Sequence, residues 1–475
     1  MSSDVKTTEL AVIGAGPGGY AAAFMAADLG IEVTLIDLEA NPGGTCLFRG
    51  CIPSKALLHV AQVIDDAREA KHFGITFGPP AIDLAKMRDS TQAVVRKLTS
   101  GLGQLCKARK ITYTRGRAGF LDSNMVKIIS DAGDEETLRY EKAILASGSR
   151  PTVIENLLLD SPRVMNSTTA LEMTDIPESL LVIGGGYIGL ELGSVYAALG
   201  AKVTVIEMTS GLLPGADPDL VKPVAERMAT LMHTILLEAK VVRMTEADNG
   251  IRVAMEGKGL EHPEEVFEKV LICIGRKPNV SGLGLRSTKV EVDDKGFVVV
   301  DAQRRTADPA VFAIGDLTGQ PMLAHKASHE GRIAAEVIAG HNAAFEPQVI
   351  PAVVFTDPQI AWCGLTETRA AKENRPVKVA RFPWGASGRA MTLNRVEGMT
   401  KIIADPETEQ VLGVGIVGSG ADELIAEGTL AIEMGAVASD IQDTIHPHPT
   451  LGETIMESAE IIFSTSTHLY RPRKG

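Results

Sequence analysis

The sequence predicts an α/β chain built on two copies of one strand–turn–helix unit, followed by a smaller α+β domain. Three observations carry this: an internal repeat, a glycine pattern placed alike in both copies, and a change of pattern from Val349 onward. The first copy reads LAVIGAGPGGYAAAFMAADLGIEVTLID and the second LLVIGGGYIGLELGSVYAALGAKVTVIE. Each opens on a short apolar run, the mark of a buried parallel strand. Each then passes through G-x-G-x-x-G into an apolar helical pattern, a further glycine, a second strand and a terminal acid. The glycines are Gly14, Gly16 and Gly19 in the first copy and Gly184, Gly186 and Gly189 in the second, where Ile188 lies inside the motif; the acids are Asp37 and Glu207, at the same offset.

The spacing has a chemical reason. The first glycine makes the tight strand-to-helix turn, the second lets backbone approach a pyrophosphate, and the third lets helix pack on strand. The helix N-terminus then offers free N–H groups and a positive dipole end to the phosphates. An acid at the end of the second strand bonds a ribose 2′-hydroxyl and repels a 2′-phosphate, so Glu207 favours NAD over NADP. Both units therefore read as Rossmann-like, and two such sites in one chain suggest a flavin paired with a nicotinamide. A third segment, from Ala307 to Gly340, supports this: its apolar run ends in Gly315-Asp316 and a helix is expected to start between Leu323 and Ser328. An acid facing a helix start is suited to polyol hydroxyls.

Residues 1–150 hold the first unit, residues 151–275 the second, and residues 276–348 return to the first. Residues 349–475 form a separate domain, in which IPAVVFTDPQIAWCGLTE, GMTKIIAD and VLGVGIVG read as antiparallel strands with ADELIAEGTLAIEMGA as a helix on them. At 475 residues the chain is too long for one core, and its 47 glycines suit tight phosphate-binding turns. A net charge of −13 argues against nucleic acid or an anionic membrane as partner. No apolar run approaches the roughly 20 residues of a membrane span, and MSSDVKTTEL has neither a signal-peptide core nor an Arg-rich presequence. Five cysteines do not make a secreted disulfide framework, so a reduced compartment, the cytoplasm, is expected.

Two of those cysteines stand together in GGTCLFRGCIPSKALL. Cys46 and Cys51 can be half of a metal site, two packed thiols, or a redox disulfide. A zinc site needs two further ligands, and Cys106, Cys273 and Cys363 are single and scattered. A disulfide cannot form across C-x4-C in a regular helix, where the Cα atoms are about 8–9 Å apart against the roughly 4.4–6.8 Å required. If the pair bridges, the helix must begin near Cys51 or Ile52, with Pro53 in its first turn and Leu47–Gly50 as an irregular lead-in. Cys51 then sits at the positive helix end, with Lys55 one turn on, and both favour a thiolate.

The glycine motifs, GGTCLFRGCIPSKALLHVA, GGGYIGLELG, FAIGD and HPHPTLGE, in this order over essentially the whole chain, resemble the flavoprotein disulfide reductases. C-x4-C with IPSK, Glu207, GQPMLAHKASHEG and HPTLGE look most like the members that oxidise protein-bound dihydrolipoyllysine to lipoyllysine and reduce NAD+ to NADH. The resemblance implies FAD and NAD as cofactors and a homodimer whose C-terminal domain forms the interface and lends a histidine to the other subunit's disulfide. Cys46 becomes the thiol that exchanges with substrate and Cys51 the thiol beside the flavin. Lys55, paired with Glu191, lies near the flavin. Asp37, Gly315, Asp316, Ala324 and, through its backbone, Ala118 serve FAD, while Ile188, Glu207, Val241 and Gly275 serve NAD. His448 is the acid/base, since histidine titrates near neutrality and the thiolate is the nucleophile, and Glu453 orients it. Without the resemblance, HPHP reads equally as a surface loop or a His446/His448 metal pair.

A separate carrier protein is expected to supply the lipoyl domain, of the 2-oxo acid dehydrogenase (E2) or glycine-cleavage (H-type) kind, since nothing resembling one is read ahead of Leu10. The alternatives are a glutathione-reductase-like enzyme, to which Tyr187 in the second motif points but Glu207 does not, an enzyme serving an unusual lipoyl carrier, or a non-catalytic scaffold partner. One departure stands out: CLFRGC replaces the family's CLNVGC. Phe48 and Arg49 are either a tolerated outward-facing change or a device that tunes the thiols or selects the carrier.

Overall fold

The structure, a computed structural model, describes residues 5–258 and 260–470. Residues 1–4, part of the MSSDVKTTEL segment read above, and 471–475 lie outside them.

The first glycine unit is β1 (Lys6–Ile13), α1 (Pro17–Asp28) and β2 (Val33–Asp37). A short helix, α2 (Gly44–Arg49), and a long one, α3 (Cys51–Glu69), follow, then α4 (Leu84–Ala108) and the strands β3 (Thr112–Arg115), β4 (Arg117–Asp122), β5 (Met125–Ile129) and β6 (Glu135–Leu145). β3, β2, β1 and β6 are parallel neighbours in that order, while β5 and β4 continue from β6 as an antiparallel meander. The apolar run LAVI of β1 is fully covered on both faces, as a central parallel strand must be.

The second unit repeats the plan. β7 (Ser149–Pro151) leaves the first unit, and β8 (Val164–Asn166), β9 (Ser179–Ile183), α5 (Tyr187–Ala198), β10 (Lys202–Ile206), α6 (Pro218–Leu231) and β11 (Thr234–Leu236) follow. A three-stranded antiparallel sheet, β12 (Ala239–Ala247), β13 (Gly250–Gly257) and β14 (Glu264–Phe267), covers one face, and β15 (Lys269–Ile272) completes a five-stranded parallel sheet in the order β11-β10-β9-β15-β8. β16 (Arg276–Pro278) pairs with β7, so the entry and exit of the second unit form one ribbon. β17 (Val311–Ala313) then joins β6 in the first sheet, and α7 (Ala324–Ile338) packs on α1 where Gly331 meets Gly18.

The last domain is a five-stranded antiparallel sheet ordered β18-β19-β22-β21-β20. Its elements are β18 (Ala352–Val354), β19 (Gln359–Gly364), α8 (Glu367–Lys372), β20 (Lys378–Pro383), α9 (Gly388–Leu393), β21 (Met399–Ala404), β22 (Val411–Gly418), α10 (Ala421–Glu433), α11 (Ala438–Asp443) and α12 (Glu453–Phe463). β20 and the helices α8, α9, α11 and α12 are additions to the sequence reading.

One expectation needs correction. Leu47–Gly50 is not an irregular lead-in: Gly44–Arg49 is helical, and the break is confined to Gly50, at φ −148° and ψ −115°. A Cβ at Gly50 would lie 2.8 Å from the carbonyl oxygen of Thr45. One residue without a Cβ therefore redirects the chain, and no longer irregular stretch is needed.

Candidate active site

The two glycine turns are built to the same rule. Gly14 and Gly184 hold φ +102° and +109°, where side chains are strained, and a Cβ on either would meet a carbonyl oxygen, that of Ala146 at 2.3 Å or of Cys273 at 2.5 Å. Gly19 and Gly189 lie against the carbonyl oxygens of Gly14 and Gly184, where a Cβ would come within 1.8 and 2.1 Å, so each helix packs directly on its own turn. Around Gly186 the space is open, and a Cβ on Gly16 would meet only Gly44 Cα, at 3.9 Å, which leaves room for a pyrophosphate on the helix N-terminus. These cradles fit a dinucleotide each. The acids hold the turns: Asp37 Oδ2 accepts from Ala15 N at 2.6 Å and Glu207 Oε2 from Gly185 N at 2.7 Å, while Thr209 N donates to Glu207 Oε1 at 2.8 Å. Burial raises the Asp37 pKa despite the Ala15 N–H donor and the Arg49 charge.

A cavity of ≈ 410 Å³ joins the first turn to the cysteines. Gly14, Gly16 and Asp37 line it together with Cys46, Cys51 and Lys55, with Ile188 and Glu191 of α5, and with Gly315, Asp316 and Ala324. Gly184, Gly186, Gly189, Glu207 and Gly275 lie outside this lining, on the second unit's own turn and ribbon. Ala118 and Val241 are buried in β4 and β12, also outside it.

Cys46 lies within α2 and Cys51 opens α3, and both are free thiols in hydrogen-bond contact across the Gly50 break. The Cys46 thiol donates to Cys51 and Lys55 adds its charge, which together outweigh burial and lower the Cys51 pKa to about 7. The same hydrogen bond, with burial, pushes Cys46 far up. In the reduced pair Cys51 is therefore the thiolate and Cys46 the thiol. Lys55 Nζ is fixed by Glu191 at 2.8 Å and lies 4.3 Å from the Phe355 ring centroid, and Phe355 N donates to the other oxygen of Glu191 at 2.9 Å. Redox helix, second unit and last domain meet there.

Three supports were missed in the sequence. Ser149 donates to Asp316, and Arg276 holds Ser149 at 2.7 Å, so β7 and β16 aim Asp316. Glu330, fully buried, accepts from Gly315 N and pairs with Arg304 at 2.9 Å and Lys326 at 3.0 Å. The Lys326/Glu330 spacing, one helical turn, was the available signal.

The two HPHP histidines separate. The His446 side chain is 6% exposed, with Nε2 on Glu427 at 2.8 Å and Nδ1 on the Thr444 carbonyl at 2.8 Å. The His448 side chain is 73% exposed, with Nδ1 on Glu453 at 2.9 Å. Both ring nitrogens of His446 are engaged elsewhere, which argues against a metal pair. Glu453 also accepts from Thr450 N at 2.8 Å, and this donor with His448 outweighs burial and lowers its pKa. His448 and Glu453 do not line the cavity that holds the cysteines. Among the described residues, the carboxylate cluster that could hold a metal ion, Asp217, Asp219 and Glu367, surrounds Lys401 Nζ instead, at 2.7, 2.7 and 2.9 Å.

Comparison with known proteins gives a consistent result. The model of the pyridine nucleotide-disulphide oxidoreductase family matches residues 8–331, and that of the family's dimerisation domain matches residues 350–459. The chain is 47% identical over 469 residues to a dihydrolipoyl dehydrogenase of Haemophilus influenzae, covering 99% of this chain and 98% of that one. It is 45% identical to one of Vibrio cholerae, with the same coverage, and 44% identical to one of Halobacterium salinarum, covering 98% of each. Among solved structures, LpdA from Mycobacterium tuberculosis superposes with a TM-score of 0.89 at 25% identity, over 96% of this chain and 99% of that one. The Cu(II) complex of RclA, a flavoprotein disulfide reductase of Escherichia coli, gives 0.85 at 26% identity, over 96% and 100%.

Proposed function

We infer that this chain, which belongs to the pyridine nucleotide-disulphide oxidoreductase family, is a dihydrolipoyl dehydrogenase: a homodimeric enzyme that uses FAD and NAD(H). The observation that carries the mechanism is the cysteine pair set across a one-residue break, inside the cavity that begins at the first glycine turn. We assign residues 1–150 and 276–348 to FAD, 151–275 to NAD, and 349–475 to the dimer interface.

In the oxidised enzyme Cys46 and Cys51 form a disulfide. A thiolate of the dihydrolipoyl group attacks the sulfur of Cys46, and Cys51 leaves as the thiolate that Lys55 and the helix N-terminus stabilise. The second substrate thiol, deprotonated by His448, displaces Cys46 and closes the lipoyl ring, so two sulfurs of the substrate are oxidised and two of the enzyme reduced. The cavity lined by Gly14, Gly16, Asp37, Lys55 and Asp316 would hold FAD, whose chemistry there would be to carry the electron pair of the reduced cysteines to NAD+ as hydride, with one proton released. The sum is dihydrolipoyl plus NAD+ to lipoyl plus NADH and a proton. Glu453 holds the His448 ring by Nδ1, leaving Nε2 for the thiol, and supports the imidazolium that forms. Since His448 is exposed and outside its own chain's cavity, the pair serves the disulfide of the second subunit.

The lipoyl group comes on a separate carrier protein. No helix of the described residues is long and apolar enough to cross a membrane, and cytoplasmic residence suits a chain whose other three cysteines are buried free thiols. The test is NADH formation from dihydrolipoamide by the purified holoenzyme. Wild type should turn over, and Cys46→Ser should lose the reaction; full activity in that variant would refute the assignment.

A further inference from the structure

The two residues that depart from the family pattern between the cysteines, Phe48 and Arg49, make contacts with the segment that follows Asp37. Arg49, the last residue of α2, forms an ion pair with Glu39, two residues beyond Asp37. Both members line the cavity beside Asp37 and the first glycine turn. Phe48 lies over Gly43, where a Cβ would meet its ring at 3.0 Å, and Gly43 N is in turn tied to the Ala15 carbonyl at 2.8 Å. The two departures thus clasp the segment 39–43 onto the turn that would cradle the first dinucleotide.

The charges point the same way. Three cations line the cavity: Lys55, Arg276 and Arg49. Lys55 is bound to Glu191 and its charge acts on both cysteines, while Arg276 is bound to Ser149 beside Asp316. Arg49 acts on Asp37 instead. Two acids, Asp37 and Glu39, line the cavity there, and the helix that meets the phosphates, α1, has no side-chain cap. A pyrophosphate brings further negative charge to this place, and the α1 dipole supplies only about half a positive charge. Arg49 is the side chain placed to supply the rest.

We propose that Arg49 is an FAD-binding residue: its guanidinium, beside Glu39 and Asp37, neutralises the pyrophosphate. This rests on the reading of the cavity as the FAD site. The guanidinium holds cofactor without touching the redox step, which explains how a charged residue is tolerated between two reactive cysteines.

The experiment measures FAD binding to apoprotein by quenching of flavin fluorescence, over a range of salt concentration. Arg49→Val should weaken binding on the order of tenfold to a hundredfold, the worth of a charge-assisted hydrogen bond, and flatten its salt dependence. Arg49→Lys should recover part of the loss. Glu39→Gln keeps the cation and removes its protein partner, so it should bind FAD at least as well as wild type to within about threefold, the ordinary context-dependence of a single hydrogen bond. Arg49→Gln, which retains the polar stem, replaces the valine variant if that one does not fold. Unchanged affinity in Arg49→Val overturns the proposal. Equal weakening in Arg49→Val and Glu39→Gln overturns it too, by reducing the pair to a brace for the loop. Wild-type apoprotein that binds no FAD would instead overturn the reading of the cavity itself.

Discussion

At the residue scale the account turns on unequal thiols. The Cys51 pKa, lowered to about 7 from an ordinary 9.0, depends on the Cys46 S–H donor first and Lys55 second. Ultraviolet thiolate absorbance of the reduced apoprotein should therefore titrate near that value. Replacing Cys46 by Ala or Lys55 by Met removes a stabiliser of the anion and should move the titration up in pH; a midpoint that stays in place would contradict the assignment of charge to Cys51. His448→Gln should reduce dihydrolipoamide oxidation by about 10²–10⁴-fold, the worth of general acid–base help, while leaving electron flow from NADH to ferricyanide intact, because that route bypasses the thiols. Type and spacing singled out Cys46, Cys51 and Lys55, and the resemblance gave them their roles. HPHP by itself offers two rings alike, and only the resemblance chose His448 over His446; in the structure Glu427, nineteen positions upstream, takes His446.

At the scale of elements, the glycine turns were legible because their constraint is local. A positive φ and a carbonyl within 2.3 Å of a would-be Cβ leave Gly14 no substitute. Gly14→Ala should cost the first unit on the order of 1–3 kcal/mol of backbone strain and release flavin, read as a lowered melting temperature with free FAD in the filtrate; a stable, fully flavinated variant would contradict this. The helix α2 was not legible, because six residues that end at a glycine and precede Pro53 look like a loop when read alone. Its helicity is set by neighbours: Leu47 is buried, and Gly43 is anchored to Ala15. Asp316 was legible as a strand-end acid, but the Ser149–Arg276 relay that aims it joins residues more than a hundred positions apart and leaves no periodic trace.

At the scale of the whole molecule, three pieces must keep register for electrons to pass from substrate to nucleotide. Lys401, 1% exposed, fixes the start of α6 in the second unit to the last domain through Asp217, Asp219 and Glu367, with Arg381 reaching Asp219 and Glu367 as well. Lys401→Met leaves these carboxylates under-paired and should cost about 3 kcal/mol, the low end for breaking a buried ion pair because Arg381 remains, measured by denaturant unfolding. Burial opposes ionisation of Asp217 and Asp219, but Lys401 and the N–H donors win, and the folded pKa values fall below 3.8. The clamp therefore contributes fully above the unfolded carboxylate range and is lost as pH falls through the lower folded values. Acid should loosen the second unit from the last domain, and Lys401→Met should flatten that acid limb.

The central claim is that Cys51 stands as a thiolate against the flavin when the enzyme holds two electrons. Anaerobic titration of the holoenzyme with NADH, followed by visible spectra, tests it most directly. A long-wavelength thiolate-to-flavin band should rise to its maximum after one equivalent and be absent in Cys51→Ser. Bleaching of the flavin by the first equivalent, with no such band, would contradict the account.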